Sequence, residues 1–146
     1  MSNSSDFDAD VFGATYLAAL VSVEMDGEWT RRIGAVAREY GDFYVVTAWN
    51  PGSERFSDAT NRNRNAKLRE EIGAAGGKAL PARGADPASS YAEDSWAVWG
   101  LDRDVATANA RAFDQVAIFL ITPNEQVVLG CQSAWSLRRA LDDTEL

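Results

Sequence analysis

Phe43-Tyr44-Val45-Val46-Thr47-Ala48-Trp49-Asn50-Pro51-Gly52-Ser53 is the stretch on which the fold of this chain turns. Phe43 to Thr47 are β-branched or aromatic without interruption, the pattern of a strand buried on both faces. Asn50-Pro51-Gly52-Ser53 then ends the run. Pro51 has no N–H for a ladder, and Gly52 suits the positive φ of a type II turn. A polar loop at the carboxyl end of a central strand is a common ligand position in open α/β sheets. That is a location and not an activity.

Upstream, residues 16–24 have the bulky, β-branched character of a strand, although Ala14–Leu20 also suits a helix. Met25-Asp26-Gly27-Glu28 followed by Trp29-Thr30 is a hairpin-like signal. Residues 32–40 carry Ile33, Val36, Ala37 and Tyr40 at helical spacing, with Gly41 placed to end the helix. Downstream, a polar helix is predicted over residues 61–75. Its thin buried stripe is Leu68, Ile72 and Ala75, and Gly76-Gly77 stops it. Residues 78–82 read as a short edge strand interrupted by Pro81, and residues 83–90 as a loop. A strand follows over 94–101. Asp102 suits the N-cap of a helix over 103–113 whose apolar side is Val105, Ala108 and Ala112, with Ala106 and Phe113 flanking. A strand over 116–121 turns at 122–125 into a second over 126–131, forming a C-terminal β-hairpin.

The expected domain organisation is a flexible tail at 1–10, one globular domain at 11–135, and a turn of helix with an acidic tail at 136–146. The fold class is α/β or α+β: a single mixed-sheet domain with about three helices packed on the sheet. Residues 43–49, 95–100 and 116–121 should be neighbouring strands.

Composition removes whole classes of chemistry. The 146 residues include no histidine and one cysteine, Cys131. A Ser-His-Asp triad, a Cys-His pair, an internal disulfide and a structural zinc site are therefore ruled out. Cys131 reads as a small buried hydrophobe. The net charge of −8 disfavours nucleic acid and anionic membranes as partners. No apolar run is long enough to span a bilayer, and the polar, acidic start lacks the pattern of a signal peptide, so the expected location is cytoplasmic. No cofactor motif is present.

The motifs Thr47-Ala48-Trp49-Asn50-Pro51-Gly52-Ser53, Ser57-Asp58, Asn61, Asn65 and Leu68 occur in order. Glu93, Ser95, Gly100, Phe113, Gln115 and Ala117 follow. In this pattern the chain resembles the bacterial domain-of-unknown-function family DUF3293 over roughly residues 14 to 130. The chain departs from that family in having Asp114 where glycine is usual between the phenylalanine and the glutamine. It also has Ser90 and Tyr91 where a tryptophan usually precedes the glutamate. The resemblance implies an architecture and marks positions; it brings no activity with it.

Asn50, Ser53, Asn61, Arg64, Ser95 and Gln115 are the candidate ligand-binding residues. Asn and Gln side chains offer paired donors and acceptors suited to a nucleobase or an amide. The competing reading makes Asn50-Pro51-Gly52-Ser53 a rigid turn, with Asp58 or Thr60 capping the next helix. Asp58 and Glu93 are the weak catalytic candidates, as an acid–base pair or an oxygen-rich metal site, and no metal ligand set is assigned. Arg62, Arg64 and Arg69 would suit phosphate, but a solvated helix face beside Glu70 and Glu71 is the preferred reading. Trp49, Trp96 and Trp99 lie on apolar strands, one or more of them in the core, with a base-stacking platform as the alternative. Two functions follow as expectations. One is a binding or interaction domain for a small polar ligand or protein partner. The other is a metal- or carboxylate-dependent hydrolase or glycosylase-like enzyme acting on a nucleotide or nucleobase, a strand followed by Asn-Pro-Gly being faintly similar to uracil-DNA glycosylases.

Overall fold

The computed structural model describes residues 17–50 and 55–141. The expectations for the N-terminal tail, for residues 11–16, for the turn at Pro51, Gly52 and Ser53, and for the acidic tail lie outside them. The strands are β1 (Leu20–Met25), β2 (Glu28–Thr30), β3 (Phe43–Val46), β4 (Lys78–Ala85), β5 (Ala92–Trp99), β6 (Ala117–Ile121), β7 (Glu125–Gly130) and β8 (Ser136–Ala140). Three helices lie among the described residues, α1 (Ile33–Tyr40), α2 (Asp58–Ala74) and α3 (Arg103–Ala112). The strands form one sheet in the order β2-β1-β4-β5-β3-β6-β7-β8. This is an α+β domain with a C-terminal hairpin, as expected. Its pairings are all antiparallel, where a mixed sheet was expected.

The strand read first holds its place. β3 lies between β5 and β6, so the three segments expected to be neighbours are neighbours. Its two faces feed two cores. On one, Phe43, Val45, Ala97 and Phe119 pack with Ile33, Val36 and Ala37 of α1. On the other, Val46, Val98 and Ile118 pack with Leu68 and Ile72 of α2 and Ala106 and Ala110 of α3. Helices on both sides explain why β3 reads as an unbroken apolar run.

Local chemistry sets the connections. Asp26 and Gly27 both have positive φ, 52° and 83°, the tight hairpin turn that Asp-Gly favours. Gly41 (φ 98°) ends α1 and donates its N–H to Ala37 O. Tyr40, at helical spacing with Ile33, Val36 and Ala37, is half exposed at the last turn. α2 is capped by Ser57, whose Oγ accepts from Thr60 N at 3.1 Å, and not by Asp58 or Thr60. Ala75 lies beyond its end and is exposed; the buried stripe runs Asn61, Asn65, Leu68, Ile72. Asp102 caps α3 as expected, accepting from Val105 N. The buried side of α3 is Ala106 and Ala110, with Val105 facing out, because two small residues one turn apart let a helix sit close on a sheet.

Two further expectations are corrected. The segment from Lys78 is no edge strand: β4 runs eight residues, through the expected loop to Ala85, between β1 and β5. Pro81 is tolerated because Lys78–Pro81 pair with β5 alone, and β1 joins only from Ala82. Ser136–Ala140 is strand β8 on β7, not a turn of helix. Its half-buried residues are Leu137 and Arg139. Arg139 faces inward to donate to Leu17 O, Ala19 O and Gln126 Oε1. No helix among the described residues is long and apolar enough to cross a membrane.

Candidate functional site

β3 ends at Val46, but residues 47–50 continue on without a strand partner, and side chains take over their backbone hydrogen bonds. Asn65 Oδ1 accepts from Ala48 N at 2.7 Å. Arg64 Nε donates to Ala48 O at 3.1 Å and reaches Phe113 O at 2.7 Å with its terminal nitrogen. Thr47 Oγ1 accepts from Trp49 N, and Gln115 Nε2 donates to Trp49 O at 3.4 Å. Asn61 Oδ1 accepts from Asn50 N at 2.9 Å. Unpaired buried backbone groups are costly, so this tether of side chains does the work of a missing neighbour strand.

Asn50 closes the tether. Its φ of 44° lies in the left-handed region, where asparagine is among the better tolerated residues. Its Oδ1 accepts from Phe56 N and Asn61 Nδ2, and its Nδ2 donates to Tyr91 Oη at 2.7 Å. Tyr91 Oη in turn donates to Glu93. Burial raises the Glu93 carboxyl above the usual carboxylate range, and the Tyr91 hydrogen bond partly offsets it. Burial and the Glu93 hydrogen bond push the Tyr91 phenol up to about 12. The guanidinium of Arg55 sits over the Tyr91 ring.

The structure thus brings Asn50, Asn61, Arg64 and Gln115 together, but around a backbone segment and not around an open cleft. Asn50, Asn61 and Gln115 are buried. Ser95 Oγ bonds back to Glu93 O, and Ser53 lies outside the described residues. Asp58 is exposed in the first turn of α2 and makes no hydrogen bond or ion pair with Glu93. Among the described residues no cluster of three or more carboxylates and cysteines is arranged to hold a metal. Cys131 is buried, and that burial raises its thiol to about 12.

The open space lies beside the tether. A cleft of about 270 Å³ is lined by Trp29, Trp49 and Trp96, by Arg62 and Asn65 of α2, and by Pro81, Arg83, Asp94 and Ser95. Register explains its walls: Ser22 pairs with Arg83, Glu24 with Trp29, Arg83 with Asp94 and Pro81 with Trp96. Directly opposed residues point to the same face, so the hairpin β1–β2 brings Trp29 to the α2 side of the sheet. Trp99, one residue out of phase with Trp96 and Val98, faces the α1 core, where it packs on Phe43 with ring centroids 4.7 Å apart.

Cations cover the tryptophans. The Arg83 guanidinium lies 4.6 Å from the Trp29 ring centre and pairs with Asp94 at 3.4 Å. Arg69 lies 5.2 Å from the Trp96 ring, whose Nε1 donates to Asn65 O. Sequence reasoning found Asn65, Trp49, Trp96 and Ser95 but gave Trp29 and Arg83 no role. The β1–β4 pairing that brings those two inward has no local signature.

The fold and tether define a single-sheet α+β domain in which one helix supplies the hydrogen bonds of a strand extension. The chain belongs to the protein family of unknown function DUF3293, whose model matches residues 46–118, half of the chain. The match begins at the last residue of β3 and ends in β6, so it takes in α2, β5 and α3 with every side chain of the tether. No curated protein and no solved structure matches the chain.

Proposed function

We propose that this protein is a binding domain that takes a small ligand in the tryptophan-lined cleft between α2 and the β2-β1-β4-β5 part of the sheet. One observation carries the reading. Trp29, Trp49 and Trp96 converge on a concave site that also presents polar and charged groups. Apolar walls with a few placed polar groups are what small-molecule sites usually have. The tether supports this site from behind, since Asn65 and Trp49 belong to both. The reading moves the expected ligand position from the Asn50 side chain to the neighbouring face of the same segment.

A second reading rests on Glu93, whose carboxyl is raised above the usual carboxylate range by burial and shares a hydrogen-bond chain with Tyr91 and Asn50. Such a group would suit proton transfer in an enzyme. Glu93 does not line the cleft.

A thermal-shift screen of nucleotides, nucleosides and aromatic amino-acid derivatives separates the two. Trp29 is 42% exposed, so Trp29→Ala should leave the fold intact. Compounds that stabilise the wild type and fail to stabilise folded Trp29→Ala support the cleft. Shifts kept in Trp29→Ala but lost in Glu93→Gln would transfer the site to the Tyr91–Glu93 chain.

A further inference from the structure

We infer that the ligand of the cleft is a single aromatic ring system bearing an anionic group, a phosphate or a carboxylate. This rests on the reading of the cleft as the binding site. Three observations converge on it.

The first is charge. The chain carries a net −8, yet Arg62 and Arg83 line the cleft, Arg69 covers Trp96, and Asp94 is the one acidic residue among the lining side chains. Glu24, opposite Trp29 in the β1–β2 hairpin, is not part of the lining. A cationic site on an acidic protein concentrates anions where the remaining surface repels them.

The second is the state of those cations. Besides resting on the Trp29 ring, Arg83 makes one ion pair, Nε to Asp94 Oδ1 at 3.4 Å, and the two paired side chains stay about half exposed. Its terminal nitrogens make no hydrogen bond with any described residue, and Arg62 makes no hydrogen bond or ion pair with one. A guanidinium fork is shaped for two oxygens of a phosphate or carboxylate. Arg64, by contrast, is used up on Ala48 O and Phe113 O.

The third is shape. About 270 Å³ lies just under the roughly 300–1,000 Å³ of drug-sized pockets, which suits one ring system with a small substituent. Indole walls favour a flat ring, through offset or edge-to-face packing. The arginines resting on Trp29 and Trp96 place positive charge directly beside two of these indole walls, which favours a ring that carries an anionic substituent.

The test is calorimetric titration of the full chain with two matched pairs, AMP against adenosine and indole-3-acetate against indole-3-acetamide. At least one anion should bind about tenfold or more tightly than its neutral partner at low salt. That preference, read as the ratio of anion to neutral affinity within each protein, should shrink with added salt and in Arg62→Gln and Arg83→Gln. A preference confined to the AMP pair identifies a phosphate ligand, and one confined to the acetate pair a carboxylate. Equal binding of anion and neutral partner would overturn the inference and leave the cleft reading standing. So would a preference that persists unchanged in both arginine variants. Binding by none of the four, with Trp29→Ala and wild type alike unshifted in the wider screen, would overturn the cleft reading itself.

Discussion

Asn61 and Asn50 are joined twice. Asn61 Oδ1 accepts the Asn50 backbone N–H at 2.9 Å, and Asn61 Nδ2 donates to Asn50 Oδ1 at 2.8 Å. Asn61 is wholly buried, so no water replaces either bond when it is removed. Asn61→Ala should therefore cost roughly 2–3 kcal/mol, the scale of leaving buried partners unsatisfied. Asn61→Asp keeps the acceptor, loses the donor and buries a charge, so it should be no better. Denaturant unfolding of the three proteins checks this; an Asn61→Ala loss under about 0.5 kcal/mol would mean that the tether contributes nothing.

Asp114, between Phe113 and Gln115, is a non-glycine residue with a φ of 62°. Its side chain is mostly exposed, and its contact with Arg64 is 3.9 Å. An exposed ion pair of that length is worth little. Asp114→Gly should thus stay within about 1 kcal/mol of wild type, the easier backbone offsetting a looser unfolded chain. Asp114→Val should lose about 1–2 kcal/mol, since a β-branched residue is strained at positive φ. Equal stability of the two variants would contradict this account.

Much of the fold was legible in residues 43–50 and in the apolar runs of β5 and β6, because a strand covered on both faces must be apolar throughout. β8 was not, because one of its two half-buried positions is Arg139, whose guanidinium caps carbonyls of the N-terminal segment. The stripe of α2 looked thin for a related reason. Asn61 and Asn65 complete it, and a search for apolar residues passes over buried asparagines. Asn50, Asn61, Arg64 and Gln115 of the tether stood among the candidate ligand-binding residues, and Thr47 and Asn65 were marked only by the family resemblance; chemistry alone could not say whether their partners were ligand or backbone. The cleft was hidden because Trp29 and Arg83 come together only through the long-range pairing of β1 with β4.

Gly130 lies against Trp135. A Cβ at Gly130 would collide with the Trp135 indole and the Ser133 carbonyl oxygen. Backbone and a bulky ring cannot both yield cheaply, so Gly130→Ala should cost roughly 1–3 kcal/mol. A melting temperature unchanged from wild type would show that this turn is loosely packed.

Glu93 gives a pH dependence with a definite sign. Its folded form favours the proton, so its contribution to stability is complete below the usual carboxylate pKa and is lost as pH rises through the raised folded value. Glu93→Gln removes that loss. The variant should gain on wild type as pH is raised from about 4 to about 7, read from urea midpoints at each pH. Parallel curves would mean that the buried carboxyl is solvated after all.

The most direct test of the cleft is the set of indole N–H signals in a ¹H–¹⁵N spectrum, followed while AMP, adenosine, indole-3-acetate and indole-3-acetamide are titrated separately. Trp29, Trp49 and Trp96 line the cleft, whereas Trp99 lies on the other sheet face with its Nε1 bonded to Gly41 O. At least one compound should move the first three signals in a saturable way and leave Trp99 in place. Four titrations that leave the three cleft indoles unmoved, or that shift Trp99 most, would contradict the assignment of the site.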